Sequence, residues 1–258
     1  MTRRGTKLSM KLLSVTLLTI LFVSSVRTSA QDTKPEKAPA GAPKRAQPAF
    51  AQVEEQAGLP RVLLIGDSIS MGYTIPVRKL LDGKANVLRP STNCGPSSRG
   101  VESIDSWVGT SKWDVIHFNF GLHDIVFYTA DGTKRAQPNE AGARHQVPAE
   151  DYEKNLRTLV ARLKQTGAEL VWCSTTPVPE GAAGRVADEA VQYNVIAERV
   201  MKENGVAIND LHGFAQPKLK DIQQPKNVHF TLEGSAALAK QVTNSIEQAL
   251  ARRQAKPQ

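Results

Sequence analysis

Cysteine is scarce in this sequence, in which Cys94 and Cys173 are the only two among 258 residues. Two cysteines do not make the framework of a disulfide-dependent fold. Neither lies in a CxxC pair or a cysteine–histidine cluster, so the sequence offers no zinc site. We therefore predict no metal and no cofactor. We favour free thiols, but bridging depends on a Cα–Cα distance that the sequence does not show.

Acidic residues are absent before Asp32, and basic residues are concentrated at the start of the chain. An apolar run follows at residues 12–23, shorter than the roughly 20 residues that cross a bilayer. The small residues Thr28, Ser29 and Ala30 come next. This order is typical of a secretory signal peptide, so we predict cleavage after Ala30 and a secreted or periplasmic protein. An uncleaved membrane anchor is the alternative.

A large excess of one charge is also lacking once residues 1–30 are set aside. The chain has a formal net charge of +8, but five of its 33 basic residues and none of its 25 acidic residues lie in that segment, which leaves +3. This balance argues against a nucleic-acid partner. Residues 31–58 are rich in Pro, Ala, Lys and Gln and predict a flexible spacer. We predict that residues 59–252 form one domain. We expect no transmembrane segment after removal of the signal peptide, and the sequence does not indicate an oligomeric state.

Short apolar runs alternate with longer helical patterns from Arg61 onward. This alternation predicts an α/β fold, a parallel five-stranded sheet covered on both faces by helices. Ligands bind such folds beyond the C-terminal ends of the strands. The predicted strands are at residues 61–66, 85–88, 113–121, 170–173 and 206–211, and the predicted helices at 75–81, 101–108, 148–167, 191–204 and from 231 onward.

A serine directly follows the first predicted strand, and a histidine stands just before the last predicted helix. Ser68 follows the first strand directly, where a helix N-terminus favours negative charge on a reacting oxygen. Serine also commonly caps helices, so Ser68 alone is ambiguous. His229 stands just before the last helix, and histidine is the usual base for a serine nucleophile. A histidine in such a place is more often structural, and the combination is what favours a catalytic pair.

Four sequence blocks in order resemble the SGNH/GDSL hydrolase family. Residues 66–69 (Gly-Asp-Ser-Ile) and 228–231 (Val-His-Phe-Thr) resemble its first and last blocks, and the likeness spans residues 61–250. Residues 121–124 read Gly-Leu-His-Asp where the family has Gly-x-Asn-Asp, a wording that resembles an exported bacterial branch. The resemblance implies a flavodoxin-like three-layer α/β/α sandwich and hydrolysis of carboxylic esters.

The resemblance also implies individual roles. Ser68 would be the nucleophile and would lend its backbone N–H to an oxyanion hole. Gly95 best matches the glycine that supplies the next N–H, with Gly100 as the fallback. His123 replaces the asparagine that supplies the third donor, and a neutral imidazole has one N–H with which to do so. His123 could instead be a second base or a partner of Asp124.

The block around the predicted base departs from the family pattern. The family has an aspartate three residues before the histidine, whereas this chain has Lys226, which cannot accept a hydrogen bond. The candidates for orienting His229 are Asn227, Asp124, Asp221 or a backbone carbonyl. A Ser–His dyad can also work alone, because the acid mainly fixes the tautomer and stabilises the imidazolium.

The sequence therefore predicts an exported serine esterase or acylhydrolase acting on small-molecule or polysaccharide esters. Export and a loop-rich rim favour O-acetyl groups on carbohydrate over lysophospholipids. A catalytically impaired glycan-binding protein on the same fold is the main alternative, and a metal-dependent phosphoesterase built on His123 and Asp124 is a lesser one. The long polar loop at residues 124–147 is expected to be functional, although the sequence does not show whether it closes over substrate. Arg185 and Glu180 follow the fourth strand and could touch substrate, but solvated surface charge is the favoured interpretation.

Overall fold

The computed structural model describes residues 47–255. The predicted signal peptide at residues 1–30, its cleavage after Ala30 and residues 31–46 of the predicted spacer lie outside the described residues.

Five parallel strands form the central sheet, in the spatial order β2-β1-β3-β6-β7. Four of the five residues of β1 are buried, as expected for an interior strand that is covered on both faces. This topology confirms the predicted α/β fold with a five-stranded parallel sheet. Between residues 47 and 255 the strands are β1 (Arg61–Ile65), β2 (Asn86–Leu88), β3 (Val115–Phe118), β4 (Phe127–Tyr128), β5 (Arg144–His145), β6 (Glu169–Cys173) and β7 (Ala207–Asn209).

Helices cover the sheet in two layers. The α-helices of the described part are α1 (Ser68–Leu80), α2 (Ser97–Val108), α3 (Ala149–Lys164), α4 (Ala190–Glu203), α5 (Leu211–Ala215), α6 (Leu219–Ile222) and α7 (Leu232–Gln254). Helix α7 packs along α1 and across β3, β6 and β7, while α3 packs between α2 and α4. The predicted three-layer sandwich is thereby confirmed. None of the helices within residues 47–255 is both long and apolar enough to cross a bilayer.

Two helices begin earlier than their apolar periodicity predicts. Helix α1 starts at Ser68, about two turns before the predicted start, and α2 starts at Ser97, about one turn early. Serine and glycine interrupt the first turns of both, so the apolar signal is weak there, although Ile69 and Tyr73 of α1 are buried. Carboxylates stabilise them instead: Asp67 accepts a hydrogen bond from the second residue of α1, and Asp124 accepts from the Ser97 N–H. Both carboxylates lie at the C-terminal edge of the sheet.

Two of the valines in α4 lie outside its buried face. Val191 and Val195 are exposed, whereas Tyr193, Ala197 and Val200 face the core at the three- and four-residue spacing of a helix. The pattern located the helix but not its rotation, because a tyrosine and small alanines fill the narrow space beside α3.

The last part of the predicted spacer lies against the domain. Ala49 is 4% exposed, and Gln56 exchanges hydrogen bonds of 2.8 and 2.9 Å with the Asn86 side chain at the edge strand β2. Glu55 pairs with Arg61 at 2.6 Å. The domain therefore includes at least residues 47–58, which composition had assigned to the spacer. Polar contacts made by single residues give no composition signal, and this is why the predicted boundary lay too far along the chain.

The loop at residues 124–147 contains local structure of its own. Strands β4 and β5 pair antiparallel, and Arg135 forms an isolated bridge to Tyr128 on the other side of β4. The Phe127 N–H donates to the Gly184 carbonyl at 2.8 Å, which joins this loop to the loop after β6. The two loops form one side of the rim above the sheet.

Several buried polar side chains are structural. Cys94 and Cys173 are both free, and burial raises the pKa of the Cys94 thiol to about 11. His117 is fully buried in β3 beside the Asn209 amide at 3.2 Å, and burial lowers its pKa to about 3. These groups therefore stay neutral at physiological pH.

Candidate active site

Ser68 is the first residue of α1, directly after the turn that follows β1, and its hydroxyl does not cap the helix. Asp67 performs the capping instead, with its Oδ1 accepting from the Ile69 N–H at 2.9 Å. Gly66 is required just before it, because a Cβ there would lie 2.9 Å from the Cβ of Ser70. Because Asp67 caps α1, the alternative that Ser68 serves only as a helix cap is excluded.

Ser68 and His229, 161 residues apart, meet at hydrogen-bond distance. The Ser68 Oγ lies 2.8 Å from the His229 Nε2. On the other side of the ring, Nδ1 lies 2.8 Å from the Asn227 Oδ1. A nucleophile, a base and an orienting group at these distances form the arrangement that activates a serine.

The surrounding hydrogen bonds determine the tautomer of His229. The backbone N–H of His229 donates to the same Asn227 oxygen at 3.1 Å, and the Asn227 Nδ2 donates to the Gln224 Oε1 at 3.2 Å. A backbone N–H can only donate, so oxygen rather than nitrogen must face it. The ring Nδ1 therefore carries the proton, which leaves Nε2 as an acceptor for the Ser68 hydroxyl.

A tight turn holds this pair of residues in place. The Gln224 N–H donates to the His229 carbonyl at 2.9 Å, and Lys226 at the tip has a φ of +55°. The Lys226 side chain is exposed and runs past Gly181, where a Cβ would meet its Cγ at 3.2 Å. The position that carries an aspartate in the family pattern thus lies at the tip of the turn, and the next residue, Asn227, contacts the ring.

The two carboxylates considered for orienting His229 lie elsewhere. Asp124 is fully buried, and its Oδ1 accepts from the N–H and the hydroxyl of Ser97 at 2.9 and 2.5 Å. Burial raises the pKa of Asp124 to about 6, partly offset by the Ser97 hydrogen bonds. Asp221 is exposed on α6. Within residues 47–255, no group of three or more His, Cys, Asp or Glu side chains is arranged to hold a metal ion.

The predicted glycine donors are engaged within their own segments. The Gly95 N–H donates to the Asn93 Oδ1 at 3.0 Å. The Gly100 N–H donates to the Pro96 carbonyl inside α2, and a Cβ at Gly100 would lie 2.7 Å from the Phe120 ring. Gly100 is therefore a packing glycine, and the fallback assignment to it is wrong. Gly95 remains at the C-terminal edge of the sheet, in the loop before α2.

His123 lies in the loop that follows β3, and its environment keeps it neutral. Burial lowers its pKa, the charge of Asp67 raises it, and the charges of Arg185, Arg135 and His229 lower it further. The Gly121 that precedes it has a φ of +151°, and a Cβ there would lie 2.0 Å from the Thr175 Oγ1. Only glycine allows the ends of β3 and β6 to approach this closely, which brings the His123 loop over the sheet edge.

Arg185 packs against the loop that carries His123 and is only partly exposed. Its Nε donates to the carbonyl of Leu122 at 2.8 Å, one residue before His123. Burial is the main cause that lowers its pKa to about 10, followed by the charge of Arg135. The expectation of a solvated surface charge is wrong for Arg185. No motif marks this residue, because its position depends on how two loops pack.

An apolar groove of about 690 Å³ opens beside Ser68, between α1 and the start of α7. Met71, Ile75 and Leu232 line it, and Leu232 is 86% exposed. Pro48 and Ala49 of the docked N-terminal segment form its far wall. These side chains come from separate parts of the chain, so no single sequence pattern indicates the groove.

The arrangement agrees with a match to a known family. Residues 64–237 match the model of the GDSL-like lipase/acylhydrolase family. This match covers more than half of the chain, so the protein belongs to that family and is an ester hydrolase. No curated protein is similar enough in sequence to count as a match.

Solved structures share the fold at low sequence identity. A lipase/acylhydrolase from Enterococcus faecalis superposes with a TM-score of 0.60 at 16% identity, covering 74% of this chain and 96% of that one. An acetylxylan esterase from Geobacillus stearothermophilus gives 0.57 at 17%, covering 72% and 94%. The acetyl xylan esterase AlAXEase gives 0.58 at 14%, covering 72% and 99%. At these identities the likeness establishes the fold, and the chemistry must be argued from this chain's own residues.

Proposed function

We propose that the protein hydrolyses esters through an acyl-enzyme formed on Ser68. The observation that carries the proposal is the continuous chain of 2.8 Å contacts from the Ser68 Oγ through His229 to Asn227. The Ser68 oxygen attacks the ester carbonyl as its proton passes to the His229 Nε2. His229 returns that proton to the departing alcohol. Water then attacks the acyl-enzyme by the same route and releases the acid.

Asn227 has the role that an aspartate has in other triads. Its oxygen holds the ring Nδ1–H, so Nε2 is presented to the serine in the acceptor form. A neutral amide fixes orientation and tautomer as a carboxylate does, but contributes less to stabilising the imidazolium. We therefore assign the site to a Ser–His–Asn relay.

The oxyanion of the tetrahedral intermediate is placed between Ser68 and His123 in this mechanism. The Ser68 N–H is at the first turn of α1, where the helix dipole favours negative charge. The neutral His123 ring can donate one N–H from the opposite side. Gly95 is the third proposed donor, and its N–H would have to be shared between Asn93 and the substrate.

The substrate we propose is an O-acetyl ester on carbohydrate. Two of the similar solved structures are acetyl xylan esterases, and polar loops rather than a helical lid border the His123 side of this site. The groove beside Ser68 supports a second candidate, a longer apolar acyl group such as that of a lysophospholipid. A series of p-nitrophenyl esters from acetate to decanoate separates the two. Maximal kcat/KM at acetate supports the first and at octanoate or longer the second.

The test of the mechanism is covalent labelling with a fluorophosphonate probe. We expect the purified protein to be labelled, and the label to be lost in Ser68→Ala and reduced strongly in His229→Ala. Ser70→Ala is the matched control, because this serine lies two positions along α1 with its hydroxyl bonded to the Asp67 carbonyl. A folded parent protein without label would contradict the relay and favour the glycan-binding alternative.

We also propose that the protein acts outside the cytoplasm. The basic start, the short apolar run and the small residues up to Ala30 support this. Expression of the whole chain with a C-terminal tag, followed by N-terminal sequencing of the exported product, tests it. A mature start at Gln31 is the expected result, and a tagged protein that keeps Met1 in the membrane fraction would indicate an uncleaved anchor.

A further inference from the structure

Two arginines belong to the loops that flank His123: Arg185 is partly buried and Arg135 is exposed. Arg185 is held there by the bond from its Nε to the Leu122 carbonyl. Arg135 bridges to Tyr128 in β4, and the N–H that follows it, from Ala136, donates to the Phe127 carbonyl at 2.9 Å. The hydrogen bond from the Phe127 N–H to the Gly184 carbonyl joins the two loops that carry these arginines.

Neither arginine has an anionic partner in the protein. Across residues 47–255, no carboxylate lies within ion-pair distance of Arg135 or Arg185, although Arg61, Arg157 and Arg253 all have one. The Arg185 guanidinium uses its Nε for the Leu122 carbonyl, and no acceptor in the described part takes its terminal N–H groups. A partly buried guanidinium without a counter-charge is costly, unless a ligand supplies that charge.

The two charges act on the site and on each other. Both lower the pKa of His123, and the charge of Arg135 lowers the pKa of Arg185. Asp67 is the carboxylate that opposes them, but its Oδ1 is bonded to the first turn of α1. Neither arginine pairs directly with Asp67 or with another carboxylate of the described residues, so both guanidinium groups are available to an anionic ligand.

We propose that Arg135 and Arg185 bind an anionic group of the substrate, so that the enzyme acts on esters of an acidic glycan. The inference rests on the proposed function, since it concerns the substrate of the same Ser68 site. Guanidinium groups match the planar oxygens of a carboxylate or the oxygens of a sulfate with paired N–H donors. A uronic acid or a sulfated sugar next to the acetylated one supplies this group. The apolar groove lies on the other side of Ser68 and is left for the rest of the substrate.

The test compares matched substrates on matched variants. The substrates are an O-acetylated oligosaccharide with one glucuronic acid residue, the same compound with that carboxyl converted to an amide, and a sulfated analogue. The variants are Arg135→Gln and Arg185→Lys, with Lys134→Gln as the control. Lys134 is exposed, neighbours Arg135 and loses the same charge in its variant.

The expected result is a change in KM that depends on substrate charge. The parent enzyme should prefer the acidic substrate over the amide by at least about tenfold in kcat/KM, and Arg135→Gln should remove most of that preference through KM. Lys134→Gln should keep it. The sulfated analogue distinguishes a general oxyanion site from one that requires a carboxylate. An equal loss on acidic and amide substrates in both arginine variants would mean a structural role and overturn the proposal.

A binding measurement separates this inference from the mechanism. Calorimetry with glucuronate or sulfate on Ser68→Ala reports on the arginines without any turnover. Binding that Arg135→Gln abolishes supports the subsite even if the hydrolysis proposal fails. An enzyme that is labelled at Ser68 yet treats acidic and neutral glycans alike overturns the subsite alone. Arginine-dependent preference for a lysophospholipid over every glycan would overturn the glycan assignment.

Discussion

The two sides of Ser68 differ in how they are held. On the base side, one short turn supplies His229, its orienting Asn227 and the Gln224 that holds the asparagine, all within six residues and all hydrogen-bonded. On the oxyanion side, the candidate donors come from three separate loops. The Gly95 N–H is bonded to Asn93, and His123 is positioned by the packing of strand ends rather than by a hydrogen bond of its ring.

The difference shows two ways of preorganising a site. The base side is local, so a replacement within the turn can preserve the arrangement, as Asn227 does for an aspartate one residue earlier in the family pattern. The oxyanion side depends on distant contacts, among them the close approach of Gly121 to Thr175 and the tie from Asp124 to Ser97. We therefore expect conservative substitutions on the base side to preserve activity. Substitutions that alter packing on the oxyanion side should lower it.

The largest expected effect is the loss of the base itself. We expect His229→Ala to lower kcat for p-nitrophenyl acetate by about 10⁴-fold or more, because nothing else removes the Ser68 proton. The control is His212→Ala, a partly buried histidine in α5. A His229→Ala enzyme within tenfold of the parent would contradict the relay.

Replacement of His123 tests the oxyanion side. His123→Ala should lower kcat by about 10²- to 10³-fold with little change in KM, the size expected for one lost oxyanion donor. His123→Asn restores the side chain of the family pattern and should recover most of the activity. If both variants keep parental kcat, the imidazole is not a donor and the oxyanion hole must be built from backbone N–H groups.

Asn227 tests whether the base side is as locally determined as its contacts indicate. Asn227→Ala should lower kcat on the order of 10²-fold, because the ring loses the acceptor that selects its tautomer. Asn227→Asp should keep activity, since a carboxylate oxygen accepts the same two hydrogen bonds. Lys226→Ala, at the exposed tip of the same turn, is the control and should change little. Equal losses in the alanine and aspartate variants would point to a role of the Asn227 amide N–H instead.

The smallest expected effect is on stability rather than rate. Burial raises the pKa of Asp124 to about 6, above the ordinary value of 3.8. Between these pH values the folded protein keeps a proton that the unfolded chain releases. The contribution of Asp124 to the free energy of unfolding is thus fully present below pH 3.8 and falls as pH rises through 6, by up to about 3 kcal/mol.

Asp124→Asn removes that titration while its amide oxygen can still accept from Ser97. We expect the variant to gain stability relative to the parent between about pH 4 and about pH 7 in urea unfolding. A stability difference that is the same at both pH values would mean that Asp124 is ionised throughout, and the His123 side would then contain a second buried charge.

Local sequence patterns predicted most of the fold and part of the site. The uniformly apolar run of β1, the glycine and acidic residues after it and the helix signals at Thr231 placed the strands, the turn at Ser68 and the start of α7. These features depend on neighbours within a few residues, so spacing alone reveals them. The same patterns placed His229 just before α7 but left three side chains as candidates for orienting it, because the orientation depends on the turn at Lys226.

The sequence by itself determined which elements form and which residue types stand at the edge of the sheet. The tertiary structure decided that Asn227 orients His229, that Asp124 serves α2 and that residues 47–58 belong to the domain. It also decided that Arg185 is partly buried against the Leu122 carbonyl. The physical reason is range: periodicity and capping act over one or two turns, whereas these contacts join segments that are brought together only when the sheet and its loops pack.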